Sequence, residues 1–526
     1  MNTETFVSDE KVEKFNKLLE KSGYNLKQYQ YDGALWCVNK ETETRKGGIY
    51  ADEMGLGKSF TMIATMFLNF KCRTLIVLPP VLIEQWVSEI LKCTGHNPLI
   101  FHGHQKNDIS QEQLERAPIV LTTYSMLTPR HRCDPVGNTR LHKIKWSRVI
   151  FDEAHHLRNS KTSRFKSCDA IRAQIKWLVT GTPIQNRRND LYSLCKIVGL
   201  NYEFYSNPDN LDIIKTQHML RRTKEQVGIL LPPVINFLET VHWKNANEKM
   251  LSEEIHSLLP NQTNVTTNNI SGYLADRMNS KGQLLAILKA RQSCILPALI
   301  KFPSFNEVGT QGSNKGFNKG FNEVKNEIET QGSNKVFNEV NGDTDDESDD
   351  ELDELDEESL LKYNEGASYS SKLDAVIDRI LERKDNGNGK IVFCHFKDEI
   401  DFIAQRLRQG GLQKVITYDG RNSKSGVKTL SNAADAIVIQ IQTGCEGLNL
   451  QKNFSEIYFV SPHWNPSVED QAVARCYRIG QTKPTNVFKF EMSGFDKDDN
   501  QDEEHQPKTM ENYVNKVQND KRLLYL

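Results

Sequence analysis

Two short segments of this 526-residue chain carry residue types that can bind and hydrolyse a nucleoside triphosphate. A-D-E-M-G-L-G-K-S occupies positions 51–59, and D-E-A-H follows at 152–155. In the first segment, backbone N–H groups of a glycine-rich turn can point at phosphates, Lys58 can reach the β- and γ-phosphates, and Ser59 can bind Mg²⁺. In the second, Asp152 can hold Mg²⁺ and Glu153 can orient or deprotonate the attacking water. The pair predicts nucleoside-triphosphate hydrolysis.

Each segment has a plainer interpretation when it is taken alone. Asp52 stands at the first glycine position of the pattern G-x-x-x-x-G-K-[ST], and so short a pattern also occurs by chance. D-E-A-H could be an acidic strand end that caps the next helix. The preceding strand and T-G-T-P at 180–183 favour the catalytic interpretation. The predicted phosphate cradle comprises Asp52, Glu53, Met54, Gly55, Leu56, Gly57, Lys58 and Ser59.

Two arginines near the C-terminus could complete such a site. In Q-A-V-A-R-C-Y-R-I-G-Q at 471–481, Arg475 and Arg478 are three residues apart, so on a helix both guanidinium groups would lie on one face. Such a pair can stabilise charge on a transferred phosphoryl group. Alone, this spacing is more often that of a solvated helix face, and the other motifs rather than the spacing favour the catalytic interpretation.

The elements that must position these residues alternate between short β-rich runs and helical segments in two regions, a pattern typical of parallel α/β sheets. We therefore predict an α/β fold with two lobes and a cleft between them. Predicted strands of the first lobe are Gly48–Ala51, Thr74–Leu78, Ile119–Thr123, Val149–Asp152 and Lys176–Thr180. Those of the second are Lys390–Cys394, Val415–Tyr418, Ile437–Gln442, Glu456–Val460 and Asn486–Phe490, with helices at Ser371–Lys384 and Lys397–Gln409.

A region of biased composition separates the lobes. F-N-E-V recurs at 305, 321 and 337, and residues 343–358 carry 12 acids and no base, so the rest of the chain is basic although the net charge is −2. The acidic run could be solvated disorder or an intramolecular mimic of nucleic acid. The predicted division is an N-terminal extension (1–23), an ATP-binding lobe (24–235), a helical insertion (236–302), a repeat and acidic linker (303–366), a C-terminal lobe (367–495) and a tail (496–526).

Composition limits the class of protein. We predict no signal peptide and no membrane-spanning segment, hence a soluble intracellular protein of the nucleus or cytoplasm, or of a virion if the source is viral. The ten cysteines include no C-x-x-C pair, so neither a zinc module nor a disulfide framework is expected.

The ordered motif series resembles that of superfamily-two helicase-like ATPases, and within them the Swi/Snf-type DNA translocases. The motifs are L-K-Q-Y-Q (26–30), D-E-M-G-L-G-K-S (52–59), L-P-P-V-L-I-E-Q-W (78–86), T-T-Y-S-M-L (122–127), D-E-A-H, T-G-T-P-I-Q-N (180–186), L-R-R-T-K (220–224), K-I-V-F-C-H-F (390–396), W-N-P (464–466) and R-I-G-Q (478–481). The resemblance covers nearly everything except the termini and the linker. It implies two RecA-like lobes, ATP and Mg²⁺ as ligands, and movement along duplex DNA without strand separation.

The resemblance also implies roles for individual residues. Gln30 would recognise adenine. Residues implied to couple the nucleotide to DNA are His155, Thr180, Thr182, Gly447, Asn449 and Gln471. The chain departs from the family at T-G-C-E-G-L-N-L (443–450), where Cys445 and Glu446 replace a glycine and an apolar residue. In relatives this segment couples DNA contact to hydrolysis.

DNA contact needs basic residues, because Lys and Arg supply most of the affinity for phosphates. The candidates are Arg130, Arg132, Arg140, Lys143 and Lys145 in one loop and Arg221, Arg222 and Lys224 in another, and each set could equally be a solvated surface. No base-reading module is evident, so we expect binding of double-stranded DNA without sequence specificity, with a protein partner to recruit the motor. The alternatives are an RNA-dependent ATPase that remodels transcripts and an ATP-gated nucleic-acid clamp with little turnover.

Overall fold

Two wholly parallel β-sheets, each flanked by helices, form the framework of the computed structural model. The structure describes residues 9–23, 26–129, 135–184, 188–257, 259, 282–300, 369–421, 434–444, 448–495 and 509–523. The predicted repeat and acidic linker (303–366), Arg130, Arg132 and Gly447 lie outside these ranges. No helix among the described residues is long and apolar enough to cross a membrane.

The first sheet has seven strands in the order β3-β4-β2-β5-β6-β1-β7. They are β1 (Gly47–Tyr50), β2 (Thr74–Leu78), β3 (Leu99–Phe101), β4 (Ile119–Thr123), β5 (Trp146–Asp152), β6 (Ala173–Val179) and β7 (Met219–Leu220). The helices of this lobe are α1 (Asp9–Ser22), α2 (Gln28–Thr42), α3 (Lys58–Leu68), α4 (Ile83–Thr94), α5 (Gln111–Arg116), α6 (Tyr124–Leu127), α7 (Ser163–Asp169), α8 (Arg188–Val198), α9 (Tyr202–Ser206) and α10 (Leu211–Ile213).

The second sheet has six strands in the order β10-β11-β9-β12-β13-β8. They are β8 (Val234–Val241), β9 (Gly389–Cys394), β10 (Val415–Tyr418), β11 (Ala436–Gln440), β12 (Phe454–Phe459) and β13 (Thr485–Met492). The helices are α11 (Ala246–Ser257), α12 (Gly282–Ile295), α13 (Ser371–Glu382), α14 (Lys397–Gln409), α15 (Ile441–Gly444), α16 (Pro466–Val473) and α17 (Met510–Leu523).

Both faces of each sheet are buried, because side chains alternate across a strand and helices cover both sides. In β2, Leu75 and Val77 join one apolar cluster while Ile76 and Leu78 join the cluster on the opposite face. The second sheet follows the same rule. Parallel strands covered on both faces are therefore near-continuous apolar runs, which is why sequence alone located them.

The predicted two-lobed α/β fold is confirmed by the two parallel sheets. All ten predicted strands are present, with ends that differ from the prediction by at most three residues, and the helix predicted at Lys397–Gln409 has those bounds. The short strands β3 and β7 were not predicted. Strand β7 has only two residues, too few to show any periodicity.

Strand β8 is the main difference between the predicted division of the chain and the structure. It pairs with β13 over its whole length, from Val234 opposite Thr485 to Val241 opposite Met492. The predicted lobe boundary at residue 235 thus falls inside β8, and the first residues assigned to a helical insertion are a strand of the second sheet. Sequence periodicity missed it because β8 is an edge strand whose side chains are mostly exposed.

Both predicted terminal segments contain helices that pack on the lobes. Phe15 and Leu19 of α1 enter an apolar cluster of the first lobe. In α17, assigned from sequence to a tail, Glu511 forms a buried ion pair with Lys372 and accepts a hydrogen bond from the backbone N–H of Met492. The last helix is thereby fixed to the second sheet.

A single buried carboxylate, that of Glu41, joins four elements of the first lobe. Arg148 of β5 donates to it through Nε (2.6 Å) and Nη2 (2.5 Å), and both side chains are fully buried. Trp177 of β6 donates from Nε1 (2.8 Å), and Asn69, which follows α3, donates from Nδ2 (2.6 Å). Glu41 lies near the end of α2, about 16 Å along the helix from Gln30. The opposite ends of these four elements carry predicted site residues.

Replacement of Glu41 by Gln should destabilise the first lobe by about 3–5 kcal/mol, because it leaves the guanidinium of Arg148 buried without a negative partner. Urea unfolding, followed by far-ultraviolet circular dichroism, measures this difference.

Glu43→Gln is the matched control from the same chain segment. Glu43 is paired with Lys40 but is about half exposed, so its loss should cost less than about 1 kcal/mol. A Glu41→Gln protein as stable as the Glu43→Gln protein would contradict the structural role of the buried pair.

Candidate active site

The glycine-rich segment 52–59, which is the predicted phosphate-binding turn, lies between β1 and the N-terminus of α3. Gly55 and Gly57 have φ values of +89° and +80°, a region that side chains with a Cβ rarely adopt. A Cβ on Gly57 would also lie 2.5 Å from Nε2 of Gln30. The backbone at these positions therefore requires glycine, and the turn leads into an 11-residue helix whose N-terminus is suited to anions. The residues present fit a triphosphate.

Asp52, predicted to contact the nucleotide, is instead occupied by a network within the protein. Its Oδ1 accepts hydrogen bonds from the backbone N–H (3.0 Å) and Nε (3.1 Å) of Arg222, and its Oδ2 accepts from Arg222 Nη2 (2.5 Å) and the Tyr50 hydroxyl (2.7 Å). The guanidinium neutralises a buried carboxylate that would otherwise repel phosphates. This explains how the chain accommodates Asp52 where the general pattern has glycine.

Glu53 is held in a similar way by Lys224. The Lys224 Nζ forms an ion pair with Glu53 Oε1, and the backbone N–H of Lys224 donates to Glu53 Oε2 (2.7 Å). The backbone N–H of Glu53 in turn donates to the carbonyl of Arg222 (2.9 Å). Arg222 and Lys224, considered from sequence as DNA contacts, therefore support the phosphate-binding turn through their ion pairs with Asp52 and Glu53.

Lys58 lies at the first position of α3 and faces the centre of the site. Its Nζ donates to the backbone carbonyl of Asp52 (3.0 Å). Burial lowers the pKa of Lys58, and the negative charges of Glu153 and Asp152 oppose that shift. The ammonium is thus close to both acidic residues of D-E-A-H. Ser59 is the next residue of the same helical turn and is partly exposed.

Asp152 ends β5, as predicted from V-I-F-D. Its Oδ2 accepts a hydrogen bond from Trp86 Nε1 (2.7 Å) and its Oδ1 from the backbone N–H of Glu153 (3.0 Å). Burial and the neighbouring charge of Glu153 raise the pKa of Asp152. Asp152 and Ser59 offer a carboxylate and a hydroxyl oxygen, which are the donor types that Mg²⁺ prefers. Trp86, which orients this carboxylate, was quoted in a motif but not predicted to act in the site.

Glu153 has a strained backbone. Its φ is +50° and its ψ is +51°, and only one other non-glycine residue among those described, Arg73, has a positive φ. Such conformations cost free energy and are concentrated at functional sites. The carboxylate lies 3.3 Å from His155 Nδ1 and the His155 ring lies 4.6 Å from that of His156. The strained residue thus directly follows Asp152 and lies beside His155.

Gln30 contacts the phosphate-binding turn directly. Its Nε2 donates to the Leu56 carbonyl (3.0 Å), and its Oε1 accepts from the backbone N–H of Lys27 (3.1 Å) at the start of α2. The Tyr29 hydroxyl donates to the same Leu56 carbonyl (3.1 Å). Helix α2 thus reaches the turn through two adjacent side chains.

The T-G-T segment after β6 lies against the same turn. The backbone N–H of Thr180 donates to the Tyr50 carbonyl (3.1 Å), and the Thr180 hydroxyl oxygen accepts from the Thr182 N–H (3.2 Å). A Cβ on Gly181 would lie 2.6 Å from Cγ of Met54 and 3.1 Å from Nζ of Lys58. Close packing with the turn therefore requires glycine between the two threonines.

The two arginines of the second lobe approach this site, but not from a helix. Helix α16 ends at Val473, so the prediction that Arg475 and Arg478 share a helix face is wrong. Beyond the end of the helix, the Arg475 carbonyl accepts a hydrogen bond from the backbone N–H of Leu450 (3.2 Å), which belongs to another segment.

Arg478 nevertheless touches the phosphate-binding turn. Its Cβ would lie 3.0 Å from a Cβ on Gly55, and its guanidinium donates to Asn449 Oδ1. Burial and the charge of Arg475 lower the pKa of Arg478 to about 10. Arg475 also helps to lower the pKa of Lys58, which indicates that its charge lies close to the site. Both lobes therefore contribute to one site.

The other predicted coupling and DNA-binding residues differ in burial and in their contacts. Gln471 of α16 is 3% exposed, and its Nε2 makes no hydrogen bond within the described residues. Arg140 donates to the carbonyls of Lys106 (3.3 Å) and Ile109 (2.5 Å), which indicates a structural role. The exposed basic residues that remain from the predicted set are Lys143, Lys145 and Arg221.

A cleft of about 1060 Å³ lies between the lobes, beside the phosphate-binding turn. Its walls include Glu53 and Met54 of the first lobe, Phe237 of β8 and Tyr477 of the second lobe. Gly55–Ser59 and D-E-A-H do not line it, so this cleft adjoins the predicted nucleotide site and is distinct from it.

Two family profiles match the chain, one over most of the first lobe and one over most of the second. The profile described as SNF2-related domain matches residues 29–299, and that described as Helicase conserved C-terminal domain matches residues 371–480. The solved Sulfolobus solfataricus SWI2/SNF2 ATPase core in complex with dsDNA is 25% identical, with a TM-score of 0.37 over 89% of this chain and 88% of that chain. That superposition is too weak to support an argument about the site.

Two curated relatives differ in how much of their length this chain spans. The DNA excision repair protein ERCC-6-like of Danio rerio is 24% identical over 517 residues, which are 88% of this chain and 34% of that protein. The probable global transactivator of Orgyia pseudotsugata multicapsid polyhedrosis virus is 26% identical over 532 residues, which are 95% of this chain and 91% of that protein. The first profile alone covers more than half of the chain. The chain belongs to the SNF2-related family of helicase-like ATPases.

Proposed function

We propose that this ATPase is a translocase on double-stranded DNA, which couples ATP hydrolysis to the remodelling of DNA or of protein–DNA complexes. The observation that carries the proposal is the approach of Arg478, from the second lobe, to Gly55 in the phosphate-binding turn of the first. A site built from two lobes can convert nucleotide turnover into relative movement of those lobes. The names of the relatives, which refer to DNA excision repair and to transactivation, favour DNA as the polymer.

The nucleotide roles follow from the chemistry of each residue. Lys58 and the backbone of Gly55–Ser59 would bind the phosphates, and Gln30 the adenine. Glu153 would orient and deprotonate the attacking water, supported by its position directly after Asp152 and by its strained backbone. Arg475 and Arg478 would stabilise negative charge on the transferred phosphoryl group.

Ser59 and Asp152 would hold Mg²⁺. The fit rests on their oxygen ligands and on the orientation of Asp152 by Trp86. When bound, the ion would supply positive charge that offsets the negative charge of the phosphates. The carboxylate of Asp52, by contrast, is already satisfied by Arg222 and is not a proposed ligand.

Coupling to DNA would pass through segments adjacent to the nucleotide. Thr180 and Thr182 are joined to the phosphate-binding turn through Gly181, and His155 lies beside Glu153. In the second lobe, Asn449 is hydrogen-bonded to Arg478, and Gly447 and Gln471 belong to the same group by family resemblance. The exposed residues Lys143, Lys145 and Arg221 are the proposed phosphate contacts, which would give binding without sequence specificity.

Duplex DNA should raise the steady-state kcat for ATP hydrolysis by about tenfold, a factor within the usual range for coupling between two sites. The measurement compares the purified chain alone, with duplex DNA, with single-stranded DNA and with RNA. Lys58→Ala is the blank for contaminating ATPases.

The pattern of stimulation separates the alternatives. Stimulation by RNA alone would replace the proposal with an RNA remodeller. Tight binding to nucleic acid with negligible turnover in every condition would indicate an ATP-gated clamp. Stimulation by single-stranded DNA but not by duplex would also contradict a duplex translocase.

Glu153→Gln should lower kcat by about 10²- to 10⁴-fold, because the amide keeps the shape of the side chain but cannot accept a proton. ATP affinity, measured with a fluorescent analogue, should stay near that of the wild type.

The control is Glu84→Gln, which alters an exposed carboxylate in the first turn of α4. It should hydrolyse ATP as the wild type does. Turnover by Glu153→Gln close to that of Glu84→Gln would remove Glu153 from the mechanism.

A further inference from the structure

Lys224 contacts both lobes at the wall of the cleft. Its Nζ forms an ion pair with Glu53 of the phosphate-binding turn, and the same atom lies 4.7 Å from the centre of the Tyr477 ring in the second lobe. Its Cε would be 3.5 Å from a Cβ on Gly55. Lys224 is 5% exposed, so the ammonium is shielded from solvent, where a cation–ring contact is strongest.

Tyr477 is placed to control the two arginines of the second lobe. It lies between Arg475 and Arg478 in a turn that no longer belongs to α16, and its backbone N–H donates to the Val473 carbonyl (2.9 Å). A side chain that anchors this turn fixes where both guanidinium groups project. Because the turn is outside the helix, it needs such an anchor.

The two contacts of Lys224 differ in what they require. The ion pair with Glu53 lies within the first lobe and can persist when the lobes separate. The contact with the Tyr477 ring exists only when the lobes are together. An interaction made only in the assembled site contributes to turnover and not to the binding of substrate by one lobe.

We propose that Lys224 and Tyr477 form a positioning pair that aligns the arginine-bearing turn of the second lobe on the phosphate-binding turn of the first and thereby sets kcat. Neither residue is assigned a contact with ATP, since the ammonium of Lys224 is engaged by Glu53 and by the ring. The inference rests on the proposed roles of Arg475 and Arg478 in hydrolysis, and it does not depend on which nucleic acid the protein binds.

The test measures kcat, KM and fluorescent-ATP affinity for variants of the full chain, with and without duplex DNA. Tyr477→Leu removes the ring and should lower kcat about tenfold, the rate equivalent of a desolvated cation–ring contact, while KM and nucleotide affinity change little. Tyr477→Phe keeps the ring and should retain kcat to within about twofold. Lys224→Arg should likewise restore most of the rate lost in Lys224→Met.

A double-mutant cycle separates positioning from general damage to the fold. If the two residues act together, Lys224→Met with Tyr477→Leu should be no slower than Lys224→Met alone. Unfolding midpoints of Tyr477→Leu and of the surface control Tyr202→Leu, whose side chain is 71% exposed, should match that of the wild type.

Three results would overturn the pair: a wild-type kcat for Tyr477→Leu, multiplicative losses in the double mutant, or a loss confined to KM. If duplex DNA does not stimulate hydrolysis by the wild type, the proposed translocase is contradicted instead. The positioning pair would then still be tested by the kcat of hydrolysis without DNA. Unchanged kcat in Arg475→Ala and Arg478→Ala would remove the groups that the pair is proposed to position.

Discussion

The buried carboxylate of Glu41 is the constraint on which the geometry of the first lobe depends. It receives hydrogen bonds from Arg148 of β5, Trp177 of β6 and Asn69 at the end of α3, while belonging itself to α2. The far ends of these elements carry Asp152, Thr180, Lys58 and Gln30. Separation of these elements would leave a buried charge without its partner, which is strongly destabilising. The ion pair therefore holds the four elements in one relative arrangement. The same arrangement fixes the relative positions of the predicted site residues at the far ends.

Two further ion pairs support the phosphate-binding turn, which follows the carboxyl end of β1. Arg222 neutralises Asp52, and Lys224 forms an ion pair with Glu53. The segment after β7 therefore holds the turn in place. Lys224 also meets Tyr477 of the second lobe, and Arg478 lies against Gly55. The candidate nucleotide site therefore includes residues of both lobes, which is the arrangement that the proposed coupling of hydrolysis to movement requires.

Local sequence patterns predicted those features that depend on neighbouring residues. The buried strands, the glycine-rich turn and the position of Asp152 at a strand end all follow from short runs of sequence. Features that depend on contacts between residues far apart in the sequence were not predicted. Arg222 is 170 residues from Asp52, and only the placement of β7 beside β1 brings them together. Arg478 lies against Gly55 but not on a helix, because α16 already ends at Val473.

The proposed movement of the protein along intact duplex DNA can be tested by displacement of a labelled third strand from a DNA triplex with a duplex leader, because a moving motor removes the third strand without separating the duplex. We expect ATP-dependent displacement that requires the leader and is lost in Glu153→Gln. ATP hydrolysis stimulated by duplex DNA without displacement of the third strand would contradict it.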